Sequence, residues 1–264
     1  MDVGTALEEA VARLRSRSGL LLLVAFLTVG VVSVVTRQTL LAASLTQYLE
    51  GGGDPAALPL SPDQLRPVAL ALPVGYGPSL GLFTLVALLS EYLSIVTLRA
   101  VAGEPLGEAA TRRLAPAVAV GFLVGVVVKT LVVVGLLAFL LPGLYLATVL
   151  LFAHARVAID DVGVAAALRG SWSLARGRLL SVAAVVATLG VFYLIPRLVG
   201  GFVPVETAGL LAGGLLVGVA NLLSAAVVAR AYVGFRDEEP AALEEEDEED
   251  PYDAPLGPDD LPEP

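Results

Sequence analysis

Along the chain, long stretches without a single charge alternate with short stretches where arginine, glycine, proline and acidic residues gather. Residues 20–35, 80–89, 117–128, 131–141 and 144–153 carry no charge at all. Inside a bilayer only the chain itself can satisfy backbone N–H and C=O groups, so runs of this kind predict helices. A membrane β-barrel would alternate polar and apolar residues, and this chain does not. Residues 116–159 would reach ~65 Å as one helix, about twice a bilayer core. Pro142-Gly143 supplies the expected break, leaving a tight hairpin. The pattern therefore predicts an all-α integral membrane bundle of six transmembrane helices. The spans are expected at about 19–36, 79–101, 116–141, 144–159, 179–199 and 208–233.

The polar stretches refine this outline. Residues 1–18 read as an amphipathic helix, with Val3, Leu7, Val11 and Leu14 on one stripe. A signal peptide fits less well, because the apolar run is long and Glu8 and Glu9 lie upstream of it. The loop at 37–77 contains Gly51-Gly52-Gly53-Asp54-Pro55, and its amphipathic first part, 38–49, is expected to prolong the first helix beyond the membrane. The transmembrane domain is expected over 19–236. Residues 237–264 combine dense charge, repeated prolines and almost no large apolar side chains, the composition of a disordered acidic tail.

Charge changes the picture once it is divided. The net charge is −10, but fourteen of the 26 acidic residues fall in the tail, which has no basic residue. The rest holds twelve acidic against sixteen basic residues, with no basic patch of the kind that binds nucleic acid. Twelve arginines lie at the N-terminus, in the loops after spans two and four and at the C-terminal flank. Three (Arg37, Arg66 and Arg197) lie in the alternate loops. That asymmetry predicts a multi-pass cell-membrane protein with both termini in the cytoplasm. Cysteine is absent and Lys129 is the one lysine. Disulfides and thiolate chemistry are thereby excluded, and the lysine depletion with an acidic tail suggests a halophilic archaeon.

The segments 103–113 and 159–169 resemble each other, matching Gly107 with Gly163, Ala109 with Ala165, Ala110 with Ala166 and Arg113 with Arg169. Each joins an inward span to an outward one, as expected of a parallel repeat rather than an inverted one. The second segment leads into Ala167-Leu168-Arg169-Gly170-Ser171-Trp172-Ser173-Leu174-Ala175-Arg176-Gly177, preceded by Leu141-Pro142-Gly143-Leu144-Tyr145 and a span. This resembles a prokaryotic six-span membrane family that includes the membrane domain fused to some glycerophosphodiester phosphodiesterases, and stand-alone haloarchaeal members of unknown function. The likeness is best over about 138–185. It implies architecture; the phosphodiesterase activity belongs to a soluble domain with no counterpart in this sequence.

The same residues predict a short interfacial helix on the cytoplasmic side. Asp161 is its expected N-cap, Val164, Leu168, Trp172 and Ala175 its apolar stripe, and Gly177 its end. Trp172 beside Arg169 and Arg176 suits the membrane boundary, where an anionic lipid or another membrane protein could dock.

Several strings that suggest catalysis lack their context. Gly77-Pro78-Ser79-Leu80-Gly81 spells a nucleophile elbow, but that needs a strand–turn–helix setting and a histidine base within reach. The one histidine, His154, lies about 18 Å along a helix from Pro142. Gly51-Gly52-Gly53-Asp54 has no second intramembrane aspartate, and Lys129-Thr130 follows Val128 where a phosphate loop requires glycine. No enzyme, cofactor or metal site is expected. More informative are Glu91, Lys129 and Asn221, each thirteen residues from an outer marker (Pro78, Pro142 and Ala208) in three different spans. Charges at mid-membrane are costly and seek partners, so Glu91 is expected to pair with Lys129, with Asn221 beside them and Arg156 the rival partner. Function is therefore read first as an organiser or regulator at the inner leaflet. The alternative is a small transporter or channel built on the polar cluster.

Overall fold

A computed structural model describes residues 15–54, 70–202 and 207–248, besides the isolated positions Gly4 and Ala12. Every element among them is helical. The expected N-terminal helix and the end of the acidic tail lie outside the described residues. In chain order the helices are α1 (Arg17–Glu50), α2 (Tyr76–Ala102), α3 (Leu106–Ala109), α4 (Leu114–Ala138), α5 (Leu140–Val149), α6 (Ala153–Asp160), α7 (Val164–Arg176), α8 (Leu179–Phe202) and α9 (Thr207–Glu248). Six stretches are long and apolar enough to cross a membrane, α5 and α6 counting together as one. Their outward faces carry large apolar side chains such as Leu137, Leu141 and Leu180, each more than three-quarters exposed. Water would penalise that surface and hydrocarbon would not.

Helix α1 begins where the Ser16 hydroxyl accepts a hydrogen bond from the Gly19 amide. Its 34 residues reach ~50 Å, well beyond a ~30 Å bilayer core. The surplus turn by turn is the 38–49 extension, and the chain folds back on it. The Leu70 amide donates to Gln38 Oε1 and the Leu72 amide to the buried Thr39 hydroxyl. Helix α9 likewise runs past the expected end at 233 and continues into the acidic segment as far as Glu248.

Glycine sets how closely the helices approach. A Cβ on Gly30 of α1 would strike the Gly214 carbonyl of α9, and one on Gly218 would lie 2.5 Å from the Phe26 carbonyl. The Gly214/Gly218 pair is therefore the small-residue face on which α1 and α9 cross backbone to backbone. In the α4–α5 hairpin a Cβ on Gly135 would come within 2.9 Å of the Gly143 Cα. The hairpin break falls at Phe139 (φ −160°, ψ 149°), not at Pro142-Gly143. Pro142 instead occupies the first turn of α5, where its missing N–H is tolerated.

The fourth span is not one helix. It stops at Val149 and restarts at Ala153, and the Ser171 side chain of α7 mends the gap. Ser171 Oγ donates to the Val149 carbonyl at 2.8 Å and accepts from the Phe152 amide at 3.1 Å. Backbone groups freed by a break must find partners away from water, and the serine of the Gly170-Ser171-Trp172 string provides them. Gly170 lies against the Arg156 guanidinium, so a side chain there would require that flexible arginine to move.

Candidate functional site

Two polar assemblies lie one above the other in the bundle. The first gathers at the end where α2 stops. Arg99 is fully buried. Its Nε donates to the Ala158 carbonyl at 2.6 Å, its Nη1 to the Arg112 carbonyl at 2.5 Å, and its Nη2 to Asp161 Oδ1 at 2.8 Å. Asp161 Oδ2 accepts from Arg112 Nη1 at 2.6 Å, while Arg112 Nη2 reaches Glu104 Oε1 at 2.6 Å. Buried guanidinium is tolerable only when paired and fully hydrogen-bonded, and Arg99 is both. Next to it Asp160 accepts from the Tyr232 hydroxyl and pairs with Arg156 and Arg236, each at 3.5 Å. Arg178 holds the same end of α9, donating to the Phe235 carbonyl at 2.8 Å and pairing with Glu238 at 3.1 Å.

This assembly changes the expected role of Asp161. The N-cap of α7 is Gly163, without a side-chain cap. Asp161 instead terminates α6 in the left-handed region, at φ 55°, with its carboxylate turned to Arg99 and Arg112. A bidentate claim by two guanidinium groups outweighs one N-cap hydrogen bond. The apolar stripe of α7 also turns differently. Ala167, Ser171 and Ala175 are its buried residues, whereas Trp172 faces outward and meets Tyr145 edge-on at 5.5 Å. Arg169 and Arg176 are exposed. The segments 103–113 and 159–169 touch through Arg112 and Asp161. At matched positions their backbones differ: Gly163 precedes a 13-residue helix and Gly107 lies inside a 4-residue one.

The second assembly is a cavity of ≈800 Å³ above that network, walled chiefly by α2, α4, α8 and α9 with α6 at its base. Glu91, Lys129 and Asn221 all line it. The expected Glu91–Lys129 ion pair is not formed, nor one with Arg156. Glu91 Oε1 faces His154 Nε2 at 3.0 Å, and Asn221 Oδ1 accepts from the Tyr193 hydroxyl at 2.8 Å. Among the described residues Lys129 makes no hydrogen bond or ion pair.

The reason lies in the two helix breaks. On α4 the residue facing Glu91 is Gly121, eight residues and therefore ~12 Å from Lys129 along the axis. Counting depth from Pro142 runs across the Phe139 break and overstates how deep Lys129 lies. The break at 150–152 meanwhile sets α6 against α2, bringing His154 over Glu91. The one signal for His154 in the sequence is its helical spacing from Ala158 and Asp161.

Ser79 is buried at the first turn of α2 and donates to the Tyr76 carbonyl at 2.7 Å, twelve residues and therefore ~18 Å along the helix from Glu91. Among the described residues no three histidine, cysteine, aspartate or glutamate side chains are grouped to hold a metal ion. Compared with known proteins, the chain matches no family model, no curated protein and no solved structure.

Proposed function

We propose that the protein is a multi-pass membrane protein of the cell membrane, both termini cytoplasmic, that takes a small molecule into its bundle as a transporter or channel. The observation that carries this reading is the convergence of Glu91, Lys129, His154, Tyr193 and Asn221, from five helices, on one largely apolar cavity. Intramembrane ionisable groups are expensive and tend to mark pathways or binding sites. A concave, mostly apolar space with a few convergent polar groups is the usual form of a ligand site, and ≈800 Å³ is in the ordinary range. The Arg99–Asp161–Arg112 network lies beneath it on α6 and closes the cytoplasmic end. Reconstitution in liposomes tests the reading. Saturable solute flux should disappear when Gly190, which faces open space beside the cavity, becomes leucine.

A second reading, an organiser at the inner leaflet, is supported by Trp172 facing outward beside exposed Arg169 and Arg176. These residues suit anionic lipid headgroups or a membrane partner. Stoichiometric capture of such a partner, with no saturable flux, would favour this reading over the first.

A further inference from the structure

Resting on the cavity reading, we infer that the cavity takes an amphiphilic monoanion, a carboxylate or phosphate ester with an apolar chain, whose charged group is held by Lys129. Of the charged groups in the cavity, Glu91 has His154 as its partner at 3.0 Å. Lys129, an exposed residue that lines the cavity, makes no hydrogen bond or ion pair among the described residues. An ammonium in a low-dielectric setting gains most from an opposite charge, and a ligand anion supplies one.

The walls select the rest of the ligand. They are chiefly aliphatic, with Glu91, His154, Tyr193 and Asn221 as polar groups besides Lys129, so most of a ligand's surface there meets hydrocarbon. Helix α4 has no substantial contact with α8 or α9 among the described residues. The lining residues Phe122, Val126 and Val133 of α4 and Tyr193 of α8 are exposed, so the cavity is open along its α4 and α8 side. A molecule already dissolved in the bilayer can enter there without leaving hydrocarbon. Gly125 and Gly190 line the same space, and a Cβ on either would meet nothing within 4 Å. Their missing side chains keep the passage wide. Deeper in, the Ser224 hydroxyl is more than nine-tenths buried; it lies near Tyr193 without a well-formed hydrogen bond and can accept or donate to an incoming polar group.

The test uses the full chain in nanodiscs of zwitterionic lipid, with a diazirine-bearing decanoate as photoprobe. Labelled peptides are mapped, and unlabelled decanoate, decanol and decyltrimethylammonium compete. The expected result is labelling of cavity-lining residues of α4 and α8, displaced by decanoate and not by the alcohol or the cation. Lys129→Gln should weaken that competition roughly tenfold or more, the loss of one charge-assisted pair, while Lys129→Arg retains it. Gly190→Leu, which adds bulk without touching backbone, should also abolish cavity labelling. Equal competition by decanol or by the cation, or labelling indifferent to Lys129, overturns the inference. If the inference fails while saturable flux of another solute is still blocked by Gly190→Leu, the transporter reading stands; if that flux is absent too, both fall.

Discussion

At the residue scale the largest single cost should fall on Arg99 and Asp161. Arg99 uses three nitrogens in three directions, toward Ala158, Arg112 and Asp161. Lysine has one ammonium and cannot reproduce that fork. Arg99→Lys should therefore lower the melting temperature in detergent markedly, and Asp161→Ala should cost about 3–5 kcal/mol by stranding a buried charge. Asp161→Asn separates charge from backbone, because asparagine tolerates the left-handed conformation that Asp161 adopts. Its loss should be smaller than that of Asp161→Ala; equal losses would show that the carboxylate charge is not the stabilising element. In the cavity, a double-mutant cycle between Glu91 and His154 should give a coupling of about 0.5–3 kcal/mol, as expected for residues in contact. The corresponding cycle between Glu91 and Lys129 should be near additive. A large coupling to Lys129 and none to His154 would contradict the pairing observed.

At the element scale, stability depends on a few places where helices meet backbone to backbone or are broken and repaired. Gly218→Val should force α1 away from α9, since the added atoms meet the Phe26 carbonyl. A disulfide or crosslink between α1 and α9 would then form less readily and thermal stability would fall by about 1–3 kcal/mol, the usual range for overpacking. Ser171→Ala should be costly for its size, because one hydroxyl serves both sides of the α5–α6 break. Helix α9 is pinned by Arg178 through Phe235 and Glu238, so the position of a truncation matters. Deleting 240–264 should leave insertion and melting nearly unchanged, whereas deleting from Phe235 onward should destabilise the Arg178 end. A drop of several degrees from the shorter deletion would reveal contacts made by the acidic segment.

At the scale of the whole molecule, the orientation we propose is open to direct labelling, since no native cysteine interferes. Single cysteines at positions 53 and 206 should react from outside in intact cells. Cysteines within 104–112 and 163–177 should react only after permeabilisation. The reverse pattern would invert the bundle and place the Arg99–Asp161 network on the outer side. Orientation matters to mechanism, because the network lies below the cavity and the α4–α8 opening lies beside it. In the mechanism we propose, access from the bilayer and closure toward one compartment are built from different helices.

What the sequence determined by itself was the number of long apolar segments and their helical class. Long uncharged runs admit no other backbone solution in hydrocarbon, so six apolar segments, their order and the extension of α1 past residue 36 were legible from composition along the chain. That Glu91, Lys129 and Asn221 are costly in lipid was legible for the same reason; all three line the cavity, Lys129 as an exposed residue. Which of them touch was decided only by the tertiary structure. Pairing depends on axial register to within about one turn of helix, and two breaks, at Phe139 and at 150–152, shift that register without an unambiguous mark in the sequence. Proline and glycine at 142–143 pointed near the first break, one turn too late. The second falls in an unbroken apolar run and exists because Ser171, from another helix, satisfies the freed backbone groups. By the same physics Asp161 reads locally as a helix cap, and becomes the counterion of Arg99 only when α2 and α6 are packed together.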